Sequence, residues 1–113
     1  MTLFSQLLAH PGVEEVYERR GRFGFMAYHG GSLEVATDVI ASRAAEQSGS
    51  SYYGVHQPHD LQWHIPSTKV RPSESPALAS FLEHVDIVVT VHGYGRQNFF
   101  TSLLLGGDRK SVV

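Results

Sequence analysis

Two apolar segments of this 113-residue chain end in the same way, in a histidine followed by glycine. The first reads FGFMAYHGG and carries His29, and the second, Asp86–Val91, continues into His92 and Gly93. Short apolar runs bounded by glycine predict strands, and the β-branched run of the second predicts a strand buried on both faces of a parallel sheet. Open α/β sheets bind ligands at the carboxyl ends of their strands. We therefore expect the two imidazoles to lie side by side at one edge of a sheet.

The rest of the chain predicts helices and strands in alternation. Helices are predicted at Thr2–Leu8, Glu34–Gln47 and Pro76–Leu82, and further strands at Val13–Arg20, Ser50–Val55, Leu61–Ile65 and Phe99–Leu105. Val35, Val39 and Ile40, with Ala36 and Ala44, form the apolar stripe of the central helix, which is expected to face the core. The first strand is expected to form a hairpin with the FGFMAYHGG strand. This order predicts an α/β fold, one domain over residues 1–113, with a single mixed, largely parallel sheet flanked by helices.

Composition excludes several classes of protein. A formal net charge of −2 without a Lys/Arg cluster argues against nucleic-acid binding. The start, MTLFSQLLAH, lacks the features of a signal peptide, and no apolar run is long enough to span a membrane. The expected compartment is the cytoplasm, which leaves release by cell lysis open. Because the chain has no cysteine, any metal site must use histidine and carboxylate ligands.

His29, Glu34 and His92 are the candidate metal ligands. Two histidines and one carboxylate are a ligand set of catalytic zinc, which keeps one coordination position open. Glu34 is expected in the first turn of the central helix, where the helix macrodipole favours an ionised carboxylate. The alternatives are a tight turn with a solvent-exposed imidazole at His29, and an acidic residue at position 34 that serves only the helix start.

Four motifs occur in order along the chain: HGGSLE, WHIPST, the HG after DIVVTV, and LLLGG. Together they resemble the poly-γ-glutamate hydrolase family (phage-type depolymerases), over roughly Val13 to Gly107. The resemblance implies a zinc-dependent amidase with a metallocarboxypeptidase-like fold, and it implies that His29, Glu34 and His92 bind Zn²⁺. For His64 in WHIPST it implies that the side chain polarises the substrate carbonyl or holds the substrate. The alternative for His64 is a packed histidine bonded to Ser67 or to backbone.

The substrate that the resemblance implies is an anionic poly-γ-glutamate or a glutamyl peptide. Such a polyanion requires cationic recognition, and arginine binds carboxylates through two parallel hydrogen bonds. Arg96, which follows His92 closely, is the first candidate for this contact, and Arg71 is a second.

The chain departs from the metallocarboxypeptidase-like scheme in one respect. That scheme places a glutamate beyond the third metal ligand as the catalytic base, and no glutamate follows Glu83 here. We therefore expect a C-terminally truncated domain that binds zinc, is weakly active and forms oligomers through an exposed strand edge. Two hypotheses follow: a zinc-dependent γ-glutamyl amidase, or a non-catalytic zinc- or anion-binding remnant that lacks the general base.

Overall fold

The computed structural model describes residues 3–31 and 33–93, together with the backbone of 103–109. The elements are α1 (Phe4–Ala9), β1 (Glu14–Glu18), β2 (Phe23–Gly31), α2 (Thr37–Ser48), β3 (Ser51–Gln57), α3 (Pro76–His84), β4 (Ile87–Gly93) and β5 (Leu103–Arg109). Between β3 and α3 the chain forms two short 3₁₀ helices, Ser67–Lys69 and Pro72–Glu74. In this part of the chain, no helix has the length and apolar character that a bilayer span requires.

The strands form a single mixed sheet in the order β1-β3-β2-β4-β5. β2 lies at the centre and pairs in parallel with both β3 and β4. The outer strands β1 and β5 are antiparallel to their neighbours. The predicted α/β class and single mixed sheet are confirmed, and the likeness to metallocarboxypeptidases stays a prediction. Parallel pairing at the centre brings the carboxyl ends of β2, β3 and β4 to one edge of the sheet.

The predicted hairpin between the first two strands is wrong. β1 pairs with β3, with Glu14 opposite His56 and Glu18 opposite Tyr52. The connection is held at the start of β3, where the Arg20 amide donates to Ser51 Oγ at 2.8 Å. β3 therefore lies between β1 and β2, and the two strands cannot pair with each other as a hairpin requires.

The position and orientation of α2 also differ from the prediction. The helix begins at Thr37, after Ala36 adopts a left-handed backbone with φ of 74°. Its buried residues are Thr37, Ala41 and Ala45, whereas Val35, Val39 and Ile40 are 78, 49 and 38% exposed. Small residues face the sheet because the helix packs very closely on it. A Cβ at Gly30 of β2 would lie only 2.7 Å from Asp38 Cβ.

The larger part of the core lies on the other face of the sheet. There Met26 and Tyr28 of β2 join a cluster that includes Phe4 of α1 and Phe81 of α3. Ser75 caps α3: its Oγ accepts from the Leu78 amide at 3.0 Å and donates to a carboxylate of β1. The cap satisfies a helix N–H that would otherwise lack a partner.

The predicted strand at Leu61–Ile65 is absent, since this segment forms no ladder. The other predicted helices and strands are present, with bounds that differ from the prediction by a few residues. The predicted last strand begins at Leu103, and residues 99–102 lie outside the described part of the chain.

The glycine pair at the end of β2 makes a close backbone contact. Gly31 pairs with Gln57 of β3, after a register shift between Ala27 and Gly30. It has φ of +72°, and a Cβ there would lie 2.3 Å from the Gln57 carbonyl oxygen. Only glycine fits at a position that combines this backbone conformation with this proximity.

The effect of Gly31→Ala separates these two constraints. Gly49 is the matched control, since it has φ of +70° and no other group within 4 Å of the position that a Cβ would take. Both substitutions carry the cost of a left-handed alanine, about 1 kcal/mol of unfolding free energy. Gly31→Ala should lower the free energy of unfolding, measured in urea, clearly more than Gly49→Ala does, because its methyl group must displace the Gln57 backbone. Equal losses for the two variants would contradict the close approach.

Candidate metal centre

One carboxylate lies between two histidine rings at the carboxyl edge of the sheet. Glu34 Oε2 is 3.1 Å from His29 Nδ1, and Glu34 Oε1 is 3.6 Å from His92 Nδ1. His29 is near the end of β2 and His92 near the end of β4, and Glu34 lies in the loop after β2. The parallel pairing of the two strands is what brings the residues together.

Hydrogen bonds fix Glu34 in its loop. Its amide donates to the His29 carbonyl at 2.9 Å, and its own carbonyl accepts from Thr37 Oγ1 at 2.7 Å. The Gly93 amide donates to Oε1 at 3.1 Å. A Cβ at Gly93 would lie 3.2 Å from Glu34 Cβ, so the glycine after His92 leaves room for the glutamate.

The expectation that Glu34 lies in the first turn of α2 is wrong, because the helix begins later. Its ionised form is stabilised by direct contacts instead. Burial by itself raises the pKa of Glu34, but hydrogen bonds from His29, His92 and the Gly93 amide outweigh burial and lower the pKa to about 2. At neutral pH the residue therefore presents a charged oxygen ligand.

The outer nitrogen of each imidazole also has a partner. His29 Nε2 lies 2.7 Å from the Ile65 carbonyl oxygen, and His92 Nε2 lies 3.3 Å from the Tyr28 hydroxyl. A carbonyl only accepts, so His29 Nε2 carries a hydrogen in this contact and donates it. Metal-binding histidines are commonly held in this way, through the nitrogen that does not bind the metal.

Each of the two histidines lies close enough to a Glu34 oxygen for that pair to share a zinc ion. Two ligand atoms that each lie about 2.1 Å from one ion can be at most ~4.2 Å apart. Each histidine–glutamate pair satisfies that limit, at 3.1 and 3.6 Å, while the centroids of the His29 and His92 rings lie 5.8 Å apart. Two imidazole nitrogens with one carboxylate match the chemistry of catalytic zinc sites, which keep a further position open.

His64 approaches the same centre from the segment that follows β3. Its ring centroid is 4.4 Å from that of His29. One donor atom each from His29, Glu34 and His64 lie within 4.8 Å of one another. The side chain of His64 is exposed, unlike the packed histidine of the alternative interpretation. Two donor sets therefore overlap in His29 and Glu34. The set completed by His64 has its donor atoms within 4.8 Å of one another, and the predicted set has His92 in place of His64.

Of the two predicted substrate-binding arginines, Arg71 is not part of this cluster of contacts. Arg71 lies between the 3₁₀ helices, and its Nε donates to the Thr68 carbonyl at 3.2 Å. Arg96 lies outside the described residues. Their roles stay predictions.

Sequence reasoning missed the residues that hold the imidazoles. Tyr28 is 3% exposed, and burial, reinforced by the charge of Glu34, raises the pKa of its hydroxyl. The phenol is therefore neutral and available to the His92 ring. Its place directly before His29 was the available signal. Ile65 contacts His29 through its backbone carbonyl, and the identity of a side chain does not predict such a contact.

Comparison with known proteins adds a finding that is independent of this geometry. The family model described as poly-gamma-glutamate hydrolase matches residues 5–113. No curated protein and no solved structure matches the chain significantly. The match spans nearly all of the sequence and includes every residue of the metal centre, so the resemblance seen in the four motifs is confirmed. The chain belongs to the poly-gamma-glutamate hydrolase family.

Proposed function

We propose that this protein is a zinc-dependent amidase that hydrolyses γ-glutamyl bonds of poly-γ-glutamate or of a related acyl-glutamate or peptide. The observation that carries the proposal is the Glu34 carboxylate, whose two oxygens face Nδ1 of His29 and Nδ1 of His92. Membership in the poly-gamma-glutamate hydrolase family supports the reaction class. The protein is proposed to act without nucleic acid or membrane as a partner.

His29, Glu34 and His92 would hold the ion. Zinc, when bound, would polarise the amide carbonyl and lower the pKa of water. The Glu34 carboxylate stays ionised at neutral pH and contributes a negative charge to the site. The Ile65 carbonyl and the Tyr28 hydroxyl keep the two rings turned so that Nδ1 faces the carboxylate.

His64 would contact the substrate. Amide cleavage requires a proton to be taken from water and another to be given to the leaving nitrogen, and a positioned acid–base group contributes about 10²–10⁴-fold to such a step. The His64 imidazole is exposed and adjacent to the His29 ring, so a substrate at the centre is within its reach. Arg71 and Arg96 are proposed to bind the carboxylates of the substrate.

Zinc binding distinguishes the two donor sets. The chain should bind about one zinc ion, and His29→Ala, Glu34→Ala and His92→Ala should each abolish stoichiometric binding because each removes a ligand. His64→Ala should retain the metal, as should the control His59→Ala, which removes an exposed histidine. Elemental analysis of the purified variants measures the outcome. Loss of zinc in His64→Ala with retention of zinc in His92→Ala would assign the ion to the set that contains His64. Full zinc content in a His29→Ala, His92→Ala double variant would rule the centre out.

Hydrolysis of poly-γ-glutamate tests the activity itself. The zinc-loaded protein should shorten the polymer, a chelator should stop the reaction, and added zinc should restore it. His64→Ala should lower kcat by about 10²-fold or more at unchanged zinc content, since it removes a proton carrier. Poly-α-glutamate serves as the comparison substrate for linkage specificity. A zinc-loaded protein without any turnover would instead support the non-catalytic alternative.

A further inference from the structure

Gln57 is a buried polar residue whose role neither the fold nor the proposed chemistry explains. It ends β3 and is 4% exposed. Its side-chain amide makes two hydrogen bonds with one residue: Oε1 accepts from the Trp63 amide at 2.8 Å, and Nε2 donates to the Trp63 carbonyl at 2.7 Å. The side chain thus binds both backbone polar groups of Trp63, as a neighbouring strand would.

The segment that Gln57 holds carries two groups of the metal centre. Trp63 is followed by His64, whose ring lies beside His29, and by Ile65, whose carbonyl accepts from His29 Nε2 at 2.7 Å. This segment has no backbone ladder with the sheet. The amide of Gln57 therefore supplies the pairing that a ladder would otherwise provide.

The backbone of Gln57 contacts the end of β2, the strand that carries His29. Gly31 pairs with Gln57, and a Cβ at Gly31 would lie 2.6 Å from the Gln57 amide nitrogen. Gly31 is the last residue of β2, two residues after His29 and three before Glu34. One residue thus connects the end of the strand that carries His29 with the segment that orients the His29 ring.

We propose that Gln57 is a positioning residue for the metal centre. Through Trp63 it keeps the Ile65 carbonyl on His29 Nε2, which leaves Nδ1 of that ring facing Glu34. Glutamine suits the position because a peptide group offers one donor and one acceptor, and an amide side chain carries a separate acceptor and donor that complement both. The inference rests on the proposed zinc site.

Two substitutions and two measurements test the role. Gln57→Met has a similar shape and removes both hydrogen bonds, and Gln57→Glu keeps the acceptor and places a carboxylate against the Trp63 carbonyl. Zinc affinity, measured by competition with a chelator, should fall about tenfold or more, in the range of losses seen when groups that orient metal ligands are changed. In the zinc-free protein, NMR should show a slowly exchanging His29 Nε2–H proton that is lost in the variants.

Ser75→Ala is the matched control for a general loss of stability. Ser75 is as buried as Gln57, and its hydroxyl also makes two hydrogen bonds, but these hold the start of α3. The control should lower stability and leave zinc affinity and the His29 signal at wild-type values. If Gln57→Met does not fold, Gln57→Glu provides the comparison.

The outcomes are distinct. A folded Gln57 variant with wild-type zinc affinity, or one that loses affinity while it keeps the His29 Nε2–H signal, would overturn the inference. A wild-type protein that binds no zinc would overturn the proposed function instead. In that case the signal from the zinc-free protein still decides whether Gln57 holds the His29 ring.

Discussion

The charge of Glu34 is the constraint on which the rest of the centre depends. A carboxylate removed from water is costly unless it is paired and hydrogen-bonded, and this one is compensated by two imidazoles and the Gly93 amide. Those partners come from β2 and β4, so their convergence requires the parallel pairing of these strands. The contacts that offset the cost of burying Glu34 also keep its carboxylate charged, and this carboxylate is the anionic donor of the candidate zinc site.

Close packing around that carboxylate is achieved with small residues. Gly31 lies on the Gln57 backbone, where a side chain would not fit, and Gly93 lies against Glu34, where a Cβ would make a tight contact at 3.2 Å. Across the sheet, Ala41 and Ala45 let α2 approach β2. His29 and His92 lie on strands of the sheet, whereas His64 lies in a segment without a ladder, next to Trp63, which hydrogen-bonds to the side chain of Gln57.

Local patterns predicted the elements well and their arrangement only in part. The apolar runs before His29 and His92 identified the central strands, and the match to the poly-gamma-glutamate hydrolase family agrees with motifs that can be read directly from the chain. The hairpin and the face of α2 were wrong because both follow from partners far away in the sequence. Val39 and Ile40 have the periodicity of a buried stripe, yet the narrow space above β2 admits only alanine and threonine.

The sequence by itself determined the α/β class, the two histidines that follow buried strands, and the glycines that permit sharp turns beside them. These are properties of residue type and order, which local sterics and hydrophobic periodicity express directly. Only the tertiary structure decided that β1 joins β3, that Glu34 lies between His29 and His92, and that the Ile65 carbonyl meets His29 while the Gln57 amide meets Trp63. Such roles depend on backbone groups and on through-space hydrogen bonds, and neither leaves a periodic pattern in the chain.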